Sequence, residues 1–318
     1  MIHNQAEMME GYVPKVSVCI PVRNGGEFLR LAVGSVLGQS CRDFEIIIVD
    51  NASTDGTVGW AEEMAVNSDK IRLFKNEQNI GLVANFNECL KYAQGEYIKY
   101  LCADDLLKPL CLARMVKALD EDSSVSLVVG GRQIINEAGE EIGLQRYSKI
   151  ATKLHGQEVI NRCLFGTNYI GEPSAVMFRK EAAKRGFREE FAHFMDMEMW
   201  FHLLEKGRMA NLPEPLCVIR RHAAQMTVHS IRTAALVEDN VRLFEEYGNK
   251  TYIRQSWVNG VGRRIRMAYR VWLCRDHLDA VRRNQILKSH SIPLVYHLVM
   301  PVLAGLLSKL RHTHLLNQ

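Results

Sequence analysis

The sequence lacks the features that mark secreted and membrane-spanning chains. Its 8 cysteines are scattered without a CxxC pair, which argues against a disulfide framework and favours a reducing cytoplasm. The first 15 residues contain no apolar signal core. No stretch reaches the ~20 apolar residues that a spanning helix needs. We therefore expect a cytoplasmic protein.

Acidic residues are scarce at the carboxyl end of the chain. Residues 251–318 contain 11 Lys and Arg but only two acids, Asp276 and Asp279, although the whole chain carries a net charge of only +4. A basic segment on a mildly acidic body predicts an anionic partner, which is a membrane surface, a nucleic acid or a phosphorylated substrate. The segment contains no recognisable nucleic-acid-binding module, so we expect no nucleic-acid partner.

Short apolar runs alternate with segments of helical spacing in the first half of the chain. Continuous apolar runs are typical of strands that are buried on both faces. They predict strands over 16–21, 44–50, 71–76 and 96–101. The same reading predicts a helix that begins at Pro109 and, in SAVMFRKEAAKRG (Ser174–Gly186), a strand that continues into a helix. This alternation indicates an α/β fold with a mostly parallel sheet flanked by helices. From residue 230 onward the sequence is helical and basic, so we predict a first domain over 1–229 and a C-terminal helical extension over 230–318.

Ligands of such sheets bind at the carboxyl ends of the strands. The polar segments that follow the four predicted strands would lie along one rim; they are Pro21–Asn24, Asp50–Ser53, Asn76–Gly81 and Cys102–Asp105. The last segment ends in two adjacent carboxylates. Because an unpaired buried carboxylate costs several kcal/mol, Asp104 and Asp105 either face water at a turn or hold a cation.

Four motifs in this order resemble inverting glycosyltransferase family 2. They are a strand followed by Pro-x-x-Asn (Pro21–Asn24), a strand ending in VDNASTDGT (Val49–Thr57), the segment NIGLVANFNECL (Asn79–Leu90) and the segment CADDLL (Cys102–Leu107). The resemblance covers roughly residues 16–227. It implies a GT-A fold, with nucleotide-sugar and acceptor halves of a catalytic domain within 1–229.

The resemblance implies contacts with a nucleotide-sugar donor along the rim. Asp50 would hydrogen-bond the nucleobase, and the backbone of Pro21, Val22 and Arg23 would contact the same nucleoside. The other implied donor contacts are Asn24, Ser53, Asn79, Gly81, Asn85, Asp104, Arg220 and His222. Plainer interpretations stay open, because DNASTDGT is rich in ordinary turn residues and Arg220 and His222 would also suit a surface strand.

The adjacent carboxylates match the metal motif of that family, written Asp-x-Asp or Asp-Asp. Hard cations such as Mg²⁺ or Mn²⁺ take oxygen ligands and bridge to substrate phosphates. The resemblance implies Asp105 as the direct ligand, with Asp104 as a further ligand or as a sugar or ribose contact. Cys102 stands where many relatives carry another acid, and a soft thiolate is a poor ligand for these metals.

A second pair of acids lies in FMDMEMWFHLLEKG (Phe194–Gly207). The family resemblance, aligned on Trp200, implies Asp196 as the catalytic base and Glu198 as the second acid. The alternative is an acidic first helical turn, which the helix dipole favours. Gly171 and Glu172 are implied to line the acceptor pocket, although a plain turn explains them equally well.

The activity implied is that of a metal-dependent inverting hexosyltransferase. It would move a sugar, from UDP by family frequency, to a saccharide or lipid-linked acceptor in surface polysaccharide or lipopolysaccharide synthesis. One alternative is a sugar nucleotidyltransferase, but PVRNGGEF (Pro21–Phe28) lacks the Gly-rich, basic phosphate loop of that class. The other is a non-catalytic nucleotide-sugar-binding homologue, which retention of Asp50, Asp104, Asp105 and Asp196 opposes.

The carboxyl end contains a broken apolar run over 292–307, interrupted by Pro293, His297 and Pro301. It is too short and too interrupted to predict a span. Lys and Arg flank it on both sides, which suits a helix lying in the headgroup region of an anionic leaflet. Packing on the catalytic domain or on a dimer partner is the alternative.

We predict that this end of the chain binds anionic membranes. Each basic side chain near an anionic leaflet is attracted by ~1 kcal/mol, and salt screens that attraction. The full chain should co-sediment with vesicles that contain anionic lipid, bind neutral vesicles weakly and be partly released by high salt. Deletion after Lys288 should release most of it. If vesicles never bind and the deletion unfolds the protein or splits a dimer, the segment packs on protein instead.

Overall fold

The computed structural model describes residues 13–222 and 230–292. The strands are β1 (Val16–Val22), β2 (Phe44–Asp50), β3 (Ile71–Lys75), β4 (Tyr97–Tyr100), β5 (Leu106–Leu107), β6 (Val125–Ile135), β7 (Glu141–Gln145), β8 (Thr152–His155), β9 (Val176–Arg179) and β10 (Arg208–Arg220). The helices are α1 (Gly26–Leu37), α2 (Thr57–Val66), α3 (Leu82–Tyr92), α4 (Cys111–Asp120), α5 (Gly156–Phe165), α6 (Met195–Leu204), α7 (Ala235–Tyr247), α8 (Trp257–Leu273) and α9 (Ala280–Ser289). Short 3-10 helices lie at Pro173–Ala175 and Lys180–Ala183.

One central sheet runs in the order β3-β2-β1-β4-β9-β6-β10-β5, with β7 beside β6 and β8 beside β10. The first four strands pair in parallel, as the alternation of apolar runs predicts. β1 and β2 are buried along their whole length, which explains their unbroken apolar sequence. In the second half, β9 lies antiparallel between β4 and β6, whereas β6 and β10 pair in parallel.

The registers bring distant strand ends to one edge of the sheet. Val22 at the end of β1 lies opposite Asp50 at the end of β2. β10 pairs antiparallel with the short β5, so that Val218 lies opposite Leu106. The carboxyl end of β10 therefore reaches the loop between β4 and β5, where the adjacent carboxylates lie.

An aromatic cluster holds the two halves of the sheet region together. Tyr100 at the end of β4 packs against Phe187 with ring centroids 5.4 Å apart, and Phe178 on β9 lies 5.7 Å from Trp200 on α6. Trp200 and Tyr100 are fully buried. Buried aromatic pairs of this kind contribute ~0.5–1.5 kcal/mol each to stability beyond the effect of the area they bury. They therefore stabilise the part of the sheet that carries the site edge.

Helices α7–α9 follow residue 230, as the sequence predicts, and α7 packs against the start of α6. The carboxylate of Asp239 on α7 accepts hydrogen bonds from the backbone N–H groups of His193 (2.5 Å) and Phe194 (3.0 Å), immediately before α6. These groups lack partners within the helix, so α7 supplies the cap of α6 from outside.

Two element boundaries differ from the sequence-based expectation. The segment after β9 was expected to continue as a helix to Gly186, but it forms a 3-10 turn over Lys180–Ala183 and ends at Gly186 with φ +77°. That conformation favours glycine and interrupts a helix. α4 begins at Cys111 rather than at Pro109, because Leu110 takes the capping position.

The apolar run near the carboxyl end lies, from residue 293 onward, outside the described residues. Within the described ranges 13–222 and 230–292, the helices are all too short or too polar to cross a bilayer.

Candidate active site

The loops that follow β1 and β2 hold the Asp50 carboxylate in place. Asp50 is buried and accepts hydrogen bonds from the hydroxyl of Ser53 and from its backbone N–H (3.0 Å). The Ser53 hydroxyl also accepts from the N–H of Asn24 (2.8 Å), and Asn24 Oδ1 accepts from the N–H of Thr54 (2.8 Å). Asn24 adopts φ +55°, a left-handed conformation that asparagine tolerates. Asn24 and Ser53, which are predicted to contact the nucleotide-sugar donor, thus hold Asp50, another predicted contact, in place.

Pro21, Val22 and Arg23 lie at the same edge with different exposure. Pro21 and Val22 are buried in β1, and the carbonyl of Val22 accepts from the N–H of Asn51 (2.8 Å). Arg23 is exposed next to the Asp50 loop. Of the three, the Arg23 side chain is therefore the one that faces solvent at the rim.

A buried asparagine, Asn51, ties the ends of β2 and β3 to the start of α3. Its amide N–H donates to Asn79 Oδ1 (3.0 Å) and to the carbonyl of Gly81 (3.1 Å), and its own Oδ1 accepts from the N–H of Ile80 (2.9 Å). Our sequence analysis did not single out Asn51. The sequence signal that could have identified Asn51 is its position directly after Asp50.

Asn85, predicted as a donor contact, is buried on α3. Its Nδ2 donates to the carbonyl of Val49 (3.1 Å), and its Oδ1 accepts from Asn76 Nδ2 (2.9 Å). Both ends of the amide are used within the protein. Asn85 therefore supports the loop after β3, and this geometry favours a positioning role over direct contact with a donor.

The two adjacent carboxylates lie in contrasting environments. Asp105 is buried, accepting from the Ser174 hydroxyl (2.6 Å) and from the backbone N–H of Arg220 (3.0 Å). Burial, and next the charge of Asp104, raise the pKa of Asp105 well above its usual range. Asp104 is partly exposed, and its carboxylate lies 2.9 Å from Nε2 of His222. In contrast to the sequence-based prediction, this geometry favours Asp104 over Asp105 as the carboxylate that faces a bound ion.

The residues around Asp104 have the chemistry that a hard divalent cation requires. Ligand atoms of Cys102, Asp104 and Asp105 lie within 4.8 Å of one another. Burial raises the pKa of the Cys102 thiol well above its usual range, so it stays neutral and is a weak ligand. The carboxylate of Asp104 is left as the accessible oxygen ligand for Mg²⁺ or Mn²⁺, with the imidazole of His222 beside it as a nitrogen donor.

The end of β10 meets the first turn of α1 beside these carboxylates. The guanidinium of Arg220 lies 4.6 Å from the ring centroid of Phe28, and its Nε donates to the carbonyl of Asp104 (3.3 Å). The ring of His222 lies 6.0 Å from that of Phe28. Arg220 and His222 therefore do lie together at the rim, as their spacing of two along a strand predicts. Phe28 is a further site residue that the sequence did not indicate.

Asp196 opens α6 in a partly buried position. Its carboxylate accepts from the N–H of Met197 (2.6 Å) and from Asn168 Nδ2 (3.2 Å). Burial, with a smaller contribution from the negative charge of Glu172, raises the pKa of Asp196 to about 7. A carboxylate that titrates near neutrality is suited to proton transfer. Sequence analysis did not identify Asn168.

The segment next to Asp196 is fixed by a close contact between Gly171 and Arg132. Gly171 adopts φ +113°, and a Cβ there would lie 1.9 Å from Nη1 of Arg132. Its carbonyl accepts from Trp200 Nε1 (3.1 Å). Glu172 pairs with Arg132 (3.0 Å) and Arg221 (2.6 Å). Burial alone would raise the pKa of Glu172, but the two guanidinium groups hold it at about 2, so this acid remains ionised.

Glu198, predicted as the second catalytic acid, is fully buried away from solvent. Arg185 donates to both of its oxygens (2.8 and 2.7 Å), and the Tyr247 hydroxyl donates to it at 3.1 Å. Residues two apart on a helix project about 200° apart, so Asp196 and Glu198 do not share a face. The structure therefore favours Glu198 as the residue that binds α6 to α7, rather than as a group in the cleft.

Comparison with known proteins identifies the family of proteins that has this fold and this site. The family model described as glycosyl transferase family 2 matches residues 17–187. The chain is 34% identical over 242 residues to an uncharacterized protein of Mycobacterium tuberculosis, which covers 72% of this chain and 74% of that one. It is 31% identical over 234 residues to the putative glycosyltransferase EpsE of Bacillus subtilis, with 70% and 81% covered. The chain belongs to glycosyltransferase family 2.

Solved structures agree on the fold. S. aureus TarS 1-349 in complex with UDP-GlcNAc superposes with a TM-score of 0.57 at 15% identity, covering 87% of each chain. The mannosyltransferase PcManGT from Pyrobaculum calidifontis, in complex with GDP-Man and Mn²⁺, gives 0.58 at 17% identity, covering 95% of this chain and 88% of that one. The protein therefore has the GT-A fold, as predicted.

Glu198→Gln should cost stability rather than chemistry. The change leaves two arginines facing an uncharged buried amide, and breaking a buried pair costs about 3 kcal/mol or more. The free energy of unfolding, measured by urea titration, should fall by that amount. Glu190→Gln is the matched control, because its pair with Arg188 is exposed and such pairs contribute ~1 kcal/mol or less. A stable but inactive Glu198→Gln protein would restore the catalytic assignment.

Proposed function

We propose that the protein is an inverting glycosyltransferase that moves a sugar from a nucleoside-diphosphate donor, with UDP as the nucleotide, to a saccharide or lipid-linked acceptor. One observation carries this proposal. The segment from Asn168 to Ser174 bonds to both Asp196 and Asp105. The group with a pKa near 7 and the acidic pair are thereby held in one constellation, which is what coupled proton removal and diphosphate departure need.

The donor side of the site is the rim of β1, β2 and β4. Asp50, locked by Ser53, offers a fixed acceptor for the N–H of a nucleobase, and Arg23 and Asn24 lie beside it. Buried carboxylates held by N–H and O–H donors retain their orientation, which favours specific hydrogen bonding over simple charge attraction. Asn79 and Gly81 belong to the same wall through Asn51. The bound UDP-GlcNAc of TarS and GDP-Man of PcManGT are consistent with a nucleotide-sugar in such a site.

Asp104 and His222 are the residues that would hold a divalent cation, with Asp105 keeping the loop in place. A Mg²⁺ or Mn²⁺ ion there would neutralise charge on the diphosphate leaving group. Arg220, stacked on Phe28, adds a fixed positive charge on the same side. The presence of Mn²⁺ in the PcManGT complex supports this assignment.

Asp196 is the group that we assign to the acceptor. It would take the proton of the attacking hydroxyl while Asn168 and the N–H of Met197 keep its carboxylate oriented. Gly171 and Glu172 form the neighbouring wall of the acceptor pocket. Glu172, ionised between two arginines, raises the pKa of Asp196 through its charge and thus helps to match the base to neutral pH.

The setting that we propose is synthesis of surface polysaccharide or lipopolysaccharide. Membership of glycosyltransferase family 2 and the basic carboxyl end support it. In this proposal residues 1–229 form the catalytic domain, and residues 230–318 form a helical part whose end contacts the anionic inner face of the cytoplasmic membrane.

The pH dependence of turnover tests the role of Asp196. Below pH 7 its carboxylate is mostly protonated and cannot accept a proton, so kcat should fall as the pH is lowered through about 7 and reach a plateau above it. Asp196→Asn should lower kcat by ~10²–10⁴-fold while donor affinity stays unchanged. UDP release is the measurement. Release of pyrophosphate from UTP and a sugar 1-phosphate, in place of UDP from a nucleotide sugar, would indicate a nucleotidyltransferase. No turnover in either assay would indicate a binding homologue.

The metal assignment is tested by nucleotide binding with and without Mn²⁺. We expect Asp104→Asn to weaken UDP binding in Mn²⁺ by about tenfold or more, as expected when one charged ligand is lost, and to have little effect in EDTA. Asp105→Asn should weaken metal-dependent binding less than Asp104→Asn does, because its amide oxygen can still accept from Ser174 although its NH2 group cannot accept from the N–H of Arg220. Equal losses for Asp104→Asn in both conditions, or a larger metal-dependent loss for Asp105→Asn, would contradict the assignment.

A further inference from the structure

A cavity of about 970 Å³ lies away from the carboxylate rim. Its walls come from the beginnings of β6 and β10, from α5 and the loop after it, from the end of α6 and from α8. β10 begins in this cavity at Arg208 and ends at the rim with Arg220. A straight strand of this length would span ~40 Å, and the register shifts of β10 shorten it. The cavity therefore lies at the opposite end of β10 from the rim.

The cavity is lined by basic side chains from four separate parts of the chain. They are Arg162, Lys206, Arg208, Arg254 and Arg266. The lining also contains Glu158 and Glu205, but Glu205 is already bound by Lys250 (2.9 Å) and by the Tyr252 hydroxyl (2.7 Å). The remaining charge is positive, which favours an anionic ligand.

Two of these arginines have donor atoms without a partner inside the described part of the protein. Nε of Arg208 and Nε of Arg266 are both buried and form no hydrogen bond there. The other side of Arg208 is fixed, because Nη2 donates to the carbonyl of Lys153 (3.0 Å). Burial lowers the pKa of Arg266, although the nearby Tyr169 opposes this shift. Buried polar groups are nearly always hydrogen-bonded. An oxyanion would supply the hydrogen-bond acceptor that both Nε atoms lack.

The first turn of α5 lies in the same cavity. His155, Gly156 and Gln157 form part of its lining, and the capping residue His155 makes no side-chain cap to the helix. The first N–H groups of a helix lack internal partners and carry a partial positive charge. The first turn of α5 and the arginines thus border the same cavity, and both helix N-termini and arginines are features that bind phosphate.

We propose that this cavity binds a phosphate-bearing ligand separate from the nucleotide-sugar donor, with Arg208, Arg254 and Arg266 as its charged contacts. The ligand would also touch the segment next to the candidate base. Tyr169 lines the cavity, while its neighbour Asn168 bonds to Asp196. The phosphate belongs either to a soluble ester or to the headgroup of a lipid-linked saccharide, and the two sources differ in whether an apolar chain adds affinity.

Calorimetric titration of the full chain in EDTA tests the site, with inorganic pyrophosphate and geranyl diphosphate as the two probes. We expect saturable binding of both. Arg254→Gln and Arg266→Gln should each weaken it by about tenfold, as loss of a charge-assisted hydrogen bond does. Lys288→Gln is the matched control, since Lys288 is exposed on α9 outside the lining. Asp104→Asn should also leave binding unchanged, because it belongs to the rim.

Tighter binding of geranyl diphosphate than of pyrophosphate would assign the site to a lipid-linked ligand, and equal affinities would assign it to a soluble phosphate. The Arg254 side chain is exposed, so its variant keeps the test valid even if Arg266→Gln melts at a lower temperature. The proposal is overturned if neither probe binds, if binding survives both arginine substitutions unchanged, or if excess UDP displaces the probes completely. The last outcome would place them at the donor rim.

Discussion

The hydrogen bonds to Asp105 are the interaction on which the rest of the site depends. One buried carboxylate joins the loop after β4, the Ser174 turn and the end of β10. Ser174 also accepts from the N–H of Cys102 (2.9 Å), so the loop is held at two points. Burying an acid here is tolerated because both of its oxygens accept hydrogen bonds. Asp104 is then left at the surface of the cleft, facing His222.

Three acids within this region show how environment separates chemically similar groups. Burial, with the nearby negative charge of Glu172, raises the pKa of Asp196 to about 7. Glu172 stays ionised because Arg132 and Arg221 offset the effect of its own burial. Glu198 is fully buried and paired with Arg185. Sequence alone places an acid at each of these positions. Only the partners, which come from other strands and helices, decide which acid exchanges a proton at pH 7.

The fold was predictable where the information was local. β1 to β4 were recognised because their apolar runs are continuous, and the resemblance to family 2 covered the loops that follow them. The antiparallel insertion of β9 between β4 and β6 depends on pairing between residues far apart in the chain, which periodicity does not record. The contrast between Asp104 and Asp105 depends on Ser174, 69 residues away from Asp105. Helical geometry alone predicts that Asp196 and Glu198 point in different directions. The match to the family pattern assigned both residues to the site without taking that geometry into account.

The cap that Asp239 provides has a consequence for how the protein forms during synthesis. The N–H groups before α6 are satisfied by a residue of α7, and Glu198 on α6 is satisfied partly by Tyr247, at the end of α7. A ribosome-bound chain that ends before residue 239 therefore has all the strands of the sheet but an unfinished α6. We expect the edge that carries Asp50 and Asp104 to become ordered first, and the neighbourhood of Asp196 to become ordered only when α7 has left the ribosome. The two parts of the proposed site would then become ordered at different times during the synthesis of one chain.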